Sequence, residues 1–404
     1  MITRRRFLVS LPAFAAASRL AVAQRFLPKK KPVAPPPVFV YFGTDTTKGI
    51  SKGIYESRFD PATGKLTAPA LIAATPRPTF LALSAAGHGE RHLYAVNAMS
   101  GAQATVTSFT VDPAAGTARQ LNQVSSAGDG PCYISLDRTG RAAFVANYNG
   151  SSIASYRVLP NGALSPPVTR IDFKGPRYGA RGPNAARQDV PHPHSVMVSP
   201  DNRFLIVNDL GRDAISVFSI HPDTAELTQA ENSLFLNNRP GSGPRHIAFH
   251  PNGRWVYSIN ELDSTIDLYL WTTARSATAP EGLLVNADKP VKLLAAGFPV
   301  AKNTAAEVAI SPDGKFLYAS NRGEDTLVVF TIAPADGTLT LLQRIPCGGR
   351  GPRHFTLDPS GKWLLCGNQD SATIAVFRRD PATGRLNGPV ETTPLDSPMF
   401  TLFA

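Results

Sequence analysis

The chain has 404 residues, with 41 Lys or Arg against 30 Asp or Glu and a formal charge of +11. Gly and Pro together number 68, high but short of disordered or collagen-like composition, and 43% hydrophobic residues are enough for a large core. The charge is local: residues 1–37 carry eight basic residues and no acid, which leaves 33 basic against 30 acidic residues in the remainder, so the basic balance gives no case for a nucleic-acid partner.

The first segment reads as an address. Arg4, Arg5 and Arg6 precede the apolar run Leu8–Ala17, and Ala21-Val22-Ala23 follows. Basic, short apolar and small-residue regions in that order make a secretory signal. The run of about 10 residues is half the roughly 20 a spanning helix needs. Arg4-Arg5 followed by Phe7-Leu8 resembles a twin-arginine export signal; an ordinary Sec signal or an uncleaved anchor is the competing reading. The expectations are a signal peptide over 1–23 cleaved after Ala23, a Pro/Lys-rich linker over 24–37, and a folded body over 38–404. They imply transient contact with the twin-arginine machinery, no stable membrane insertion afterwards, and a periplasmic or secreted location.

The body repeats. A Pro-led start, an alternating apolar strand, a turn with Gly or Asn, and a second strand ending in Asn recur from Pro78 to Asn97, Pro131 to Asn147, Pro193 to Asn208 and Pro244 to Asn260. Two more copies run from Ala305 to Asn321 and from Pro352 to Asn368. The starts are 46 to 62 residues apart, counting Pro398 as the last. Further hairpin signals close the copies, as at Pro160-Asn161-Gly162 and Pro334–Gly337, between alternating stretches such as Leu327–Ile332. No segment has convincing helical periodicity. Four antiparallel strands per repeat predict an all-β propeller. Pro398–Ala404 is a lone first strand, and the body from Val38 lacks one. Pooling the two ends makes a composite blade that closes the ring, for seven blades in all; a six-bladed ring with the loose copy at Pro78 misread is the alternative.

Strands alternate in direction from the axis outwards. The loop entering each first strand and the loop after each second strand therefore share one face. Polar residues gather in those loops: His192, His194, Arg245, His246, Glu307, Arg353 and His354 before first strands, and Tyr148, Asp209, Glu261 and Arg322 after second strands. The asparagines recur in every copy, which marks them as architecture. Arg245, Glu261 and Arg322 occur in only some, which favours function. Arginine offers a planar fork to a carboxylate, phosphate or developing oxyanion. His194 can accept a proton near neutral pH. Glu261 is a second candidate base, or the group that orients a histidine. No Gly-x-Ser-x-Gly elbow is present, so a serine nucleophile is not expected. Cys132, Cys347 and Cys366 have no paired spacing and read as isolated thiols. No repeated acidic ligand set accompanies His192 and His194, so neither a metal nor another cofactor is expected.

Three phrases carry a resemblance: Gly182–Val196 with its His-Pro-His-Ser, Pro240–Gly253 with its Gly-Pro-Arg-His, and Ala306–Arg322 ending in Ser-Asn-Arg. They resemble the seven-bladed lactonase family, which groups bacterial 6-phosphogluconolactonases with fungal muconate- and carboxymuconate-lactonizing enzymes, over essentially 38–404. The resemblance implies a site at His194, Arg245, Glu261 and Arg322 and metal-independent hydrolysis of a sugar lactone, phosphorylated or not. From their place in the same loops, His192, Asp209, His246, Glu307, Arg353 and His354 are expected to bind substrate, with a structural role for at least one of His246 and His354 as the alternative. Lactone cyclisation and a non-catalytic, ligand-binding propeller remain the alternatives.

Overall fold

The computed structural model describes residues 38–404, apart from 86–89, 113–114, 176–179, 237–238 and 274–281. The expected signal and linker lie outside the described residues. Seven antiparallel sheets form the body. Their innermost strands are Pro78–Leu83, Pro131–Leu136, Pro193–Val198, Pro244–Phe249, Thr304–Ile310, Pro352–Leu357 and Pro398–Phe403. Each packs on the next, and the last packs on the first, so the ring is closed. We number the blades 1 to 7 in that order. Five blades have four strands; in blades 4 and 7 the outer strand is broken in two. Blade 7 is the composite: Pro398–Phe403 pairs antiparallel with Val38–Thr44, with Val40 opposite Phe403 and Phe42 opposite Thr401. No helix among the described residues is long and apolar enough to cross a membrane.

The second strand of each blade is sandwiched between neighbouring blades. Ala142–Asn147, Phe204–Asp209, Trp255–Asn260 and Trp363–Asn368 are buried along their whole length. That is why these segments read as unbroken apolar runs rather than alternating ones. Their terminal asparagines work as architecture. Asn147 Nδ2 donates to Ser126 O at 2.9 Å and Asn368 Nδ2 to Cys347 O at 3.2 Å. Asn97 Nδ2 donates to Pro76 O at 2.6 Å. Each ties a second strand to the connector arriving from the previous blade.

The outer hairpins interlock the blades on the opposite face. A Cβ on Gly384 of blade 6 would lie 2.2 Å from the Phe316 ring of blade 5. One on Gly337 of blade 5 would meet Trp255 of blade 4, and one on Gly64 of blade 7 would meet Trp363 of blade 6. These glycines also hold φ near +75°, at 72°, 76° and 78°. The hairpin signal in the sequence therefore encodes a turn and a socket for the neighbour's aromatic ring.

Candidate active site

Each first strand begins with a register slip against its second strand. Pro244 faces Asn260, yet His246 faces Ile259, leaving Arg245 as the extra residue. The same slip follows Pro78, Pro193 and Pro352. A bulge of this kind re-aims side chains that strict alternation would send to opposite faces. Consecutive residues consequently form two layers around the bore. The upper layer includes Thr79, Cys132, His194, Arg353 and Met399, all on the wall of a cavity of about 380 Å³. One residue further along each strand, Phe80, Tyr133 and Phe400 close the bore. The Phe80 ring lies 4.0 Å from Tyr133 and 3.9 Å from Phe400, centroid to centroid. His246 and His354 belong to this floor, at 5.1 Å from Tyr133 and 4.0 Å from Phe400.

Glu261 is the hub of the cavity wall. Its Oε2 receives Arg245 Nε and Arg322 Nη2, each at 3.0 Å, and its Oε1 receives Arg187 Nη2 at 2.5 Å. Burial alone would raise its proton affinity. The guanidiniums of Arg322, Arg245 and Arg187 overcome that and hold the carboxyl below the ordinary range. Glu261 is thus a permanent anion with both oxygens engaged. That makes it a poor proton acceptor and a good anchor for three cations.

His194 has the opposite character. Burial first, then Arg245, His246, Arg353 and Arg322, push its pKa well below 6.5. The ring is neutral at pH 7, and its buried Nδ1 has no hydrogen-bond partner. Of the four residues expected to act together, His194, Glu261 and Arg322 line the cavity. Arg245 lies beneath, 2% exposed, with Nη1 donating to Ala306 O at 2.5 Å. Of the expected binding residues, Arg353 reaches the same wall. His246, Glu307 and His354 form a buried cluster in the floor: His246 Nδ1 is 2.9 Å and His354 Nε2 3.4 Å from Glu307 Oε2. Burial drives His354 down to about 4 and raises Glu307. His192 and Asp209 sit beside the cavity rather than on its wall. His192 stacks on Tyr148 at 4.1 Å, and its Nδ1 donates to Tyr148 O at 2.9 Å. Asp209 Oδ1 accepts the backbone N–H of His192 at 2.7 Å and of Gly211 at 3.0 Å; burial raises its pKa to about 6. Among the described residues no group of three or more His, Cys, Asp or Glu is placed to hold a metal ion.

A protein family described as "Lactonase, 7-bladed beta-propeller" matches residues 39–403. The chain belongs to that family. A relative in Formosa agariphila called 6-phosphogluconolactonase is 33% identical over 325 residues, covering 79% of this chain and 86% of its own. A structure of a putative 6-phosphogluconolactonase from Bacteroides fragilis superposes with a TM-score of 0.81 at 35% identity, covering 91% of this chain and 98% of that one. A periplasmic gluconolactonase from Pseudomonas aeruginosa superposes with a TM-score of 0.80 at 33% identity, covering 91% and 99%.

In this lactonase-family chain two charged wall residues, Arg187 and Arg77, were not among the sequence-derived candidates. Arg187 lies in the long connection between blades 2 and 3, outside every repeat. Its neighbour Gln188 anchors that connection, with Nε2 donating to Leu210 O and to Asp213 Oδ1, both at 2.8 Å. Two signals were available: Arg187 lies inside the resemblance phrase Gly182–Val196, and Pro131 to Pro193 is the longest interval in the series, at 62 residues, an insertion on the functional face being where binding groups accumulate. Arg77, the residue before Pro78, also reaches the cavity and pairs with Asp45 at 3.3 Å. Cys132 is on the wall too, but burial raises its thiol to about 12, so it is no nucleophile.

Proposed function

We propose that this protein hydrolyses a sugar lactone to its aldonic acid without a metal, and that it does so after export. The observation that carries the reading is a neutral His194 and a cationic wall around Glu261 sharing one cavity, in a chain of the lactonase family. His194 takes a proton from water as the water oxygen bonds to the lactone carbonyl carbon. Negative charge builds on the carbonyl oxygen and is met by the wall guanidiniums of Arg322 and Arg187, both held on Glu261. The carbon–ring oxygen bond then breaks, and the ring oxygen receives the proton from the imidazolium. Burial first, and the nearby cations after it, keep this histidine neutral. It is always free to accept, and its charged form exists only while the intermediate carries a compensating negative charge. Glu261 fixes the geometry of the cations rather than moving a proton.

The substrate is D-glucono-1,5-lactone, its 6-phosphate, or a related aldonolactone. The test is hydrolysis of both against the spontaneous rate, since such lactones open unaided. Acceleration of neither, with the fold intact, ends the proposal and leaves a binding propeller. Export rests on Arg4, Arg5 and the apolar run to Ala17. Replacing Arg4 and Arg5 by Lys is expected to retain the protein in the cytoplasm on cell fractionation; unchanged release rules out the twin-arginine route.

A further inference from the structure

The tetrapeptide Gly-Pro-Arg-His occurs twice, at 243–246 and at 351–354. Both copies open a first strand, and both carry the same register slip. Their arginines nevertheless end in different states. Arg245 is saturated: Nε is on Glu261, and Nη1 is on Ala306 O and against the His246 ring. Arg353 forms no ion pair and no side-chain hydrogen bond among the described residues, although it faces the cavity.

One position explains the difference. The residue after the second-strand asparagine is Glu261 in blade 4 and Gln369 in blade 6. The two occupy equivalent places: Glu261 N donates to Gly243 O at 2.7 Å, and Gln369 N to Gly351 O at 3.0 Å. Blade 6 therefore keeps the guanidinium and lacks the carboxylate that neutralises it. Asp370, the next residue, is exposed and makes no ion pair with Arg353. Burial disfavours the charge of Arg353, Arg245 and Arg322 disfavour it further, and the more distant pull of Glu261, which makes no ion pair with it, offsets only part of this. A guanidinium held this way is costly to the free protein, and a bound anion removes the cost.

We propose that Arg353 is the receptor for an anionic group of the ligand in this cavity, its planar fork taking a carboxylate- or phosphate-type oxygen pair, while its twin Arg245 is a positioning residue that stays on Glu261. The identity of the ligand as a lactone or aldonate rests on the reading above; anion capture at Arg353 does not. The two sources of the anion, a fixed substituent and the carboxylate formed on ring opening, are separated by the choice of probe.

The experiment is calorimetric titration of the full chain with inorganic phosphate and with D-gluconate, beside lactone hydrolysis, for the wild type, Arg353→Gln, Arg353→Lys and Gln369→Glu. The wild type is expected to bind at least one probe. Phosphate preferred points to a phosphorylated substituent, and gluconate preferred points to the nascent carboxylate. Arg353→Gln is expected to weaken binding by about ten- to a hundredfold, the range for a lost charge-assisted pair, and Arg353→Lys by less. Gln369→Glu retains Arg353 but supplies the missing partner, and is expected to weaken binding comparably. This variant decides the matter if the others fail to fold. Binding of neither probe by the wild type, or affinities within twofold of wild type in Gln369→Glu, overturns the proposal. Anion binding that depends on Arg353 without any lactone turnover overturns the lactonase reading and leaves Arg353 in place.

Discussion

Single side chains in the cavity take their character from the charges they face. A lone buried carboxylate–arginine pair gains little, because desolvation cancels most of the attraction. Glu261 escapes that balance by facing three guanidiniums, at 2.5, 3.0 and 3.0 Å. Losing one of them should matter more for geometry than for net charge. Arg187→Met is expected to lower kcat/KM for lactone hydrolysis by about ten- to a hundredfold, as a lost charge-assisted hydrogen bond implies, with little change in unfolding temperature, since Arg187 lies at the cavity rim. His194 yields a pH prediction. Its proton affinity is depressed by burial and by Arg245, so it stays unprotonated, as the proposed base must, when the medium is acidified past pH 6.5. The acid limb of kcat/KM, corrected for spontaneous opening, should lie well below that value. A limb at or above pH 6.5 assigns the base elsewhere. His194→Ala should cost about a hundred- to ten-thousandfold in kcat, the usual share of a general base.

At the scale of the strand and the turn, two devices recur around the ring. The bulge at the start of each first strand sends consecutive residues into the bore, so that Arg245 meets Glu261 while His246 joins the floor. The hairpin glycine between third and fourth strands receives an aromatic ring from the preceding blade. A paired comparison separates the glycine's two roles. Gly384 and Gly140 both hold positive φ, at 72° and 70°, but only at Gly384 would a Cβ strike a neighbour, the Phe316 ring at 2.2 Å. Gly140→Ala is expected to cost about 1–2 kcal/mol, from the left-handed backbone alone. Gly384→Ala adds an overpacking cost of about 1–3 kcal/mol. Thermal unfolding of the two variants should show the larger drop for Gly384→Ala; equal drops would mean the ring simply moves aside.

For the whole molecule, closure of the ring matters most. The segment Pro398–Phe403 is the innermost strand of blade 7, and Phe400 is also part of the floor, 3.9 Å from Phe80 and 4.0 Å from His354. Deleting residues 398–404 removes both and exposes the edge of Val38–Thr44. An unpaired inner edge invites pairing between molecules. The truncated protein is expected to lose more than about 4 kcal/mol of stability, the range reserved for failure of a core element, and to appear as aggregates by size-exclusion chromatography. A monomer with native unfolding temperature would show that the ring holds without its clasp.

The residues of the chain alone determined the repeat, the blade count and the composite closure, because each rests on local chemistry: apolar alternation, turn glycines and a first strand found at one end and lacking at the other. They also placed His194, Glu261 and Arg322 in loops of one face, since strand direction follows from hairpin connectivity. Only the folded ring decided which side chains those residues meet. Arg187 lies outside the repeat, so no periodicity pointed to it, and its arrival at Glu261 turned a candidate base into an anchored anion. Asp209 and His192 share the loops of the site, but Asp209 Oδ1 is spent on backbone N–H groups and His192 on Tyr148 and Asp189. Arg245 and Arg353 occupy identical tetrapeptides; the sequence holds the difference, Glu261 against Gln369, but only the fold shows that these two positions are equivalent and that Glu261 stands against Arg245.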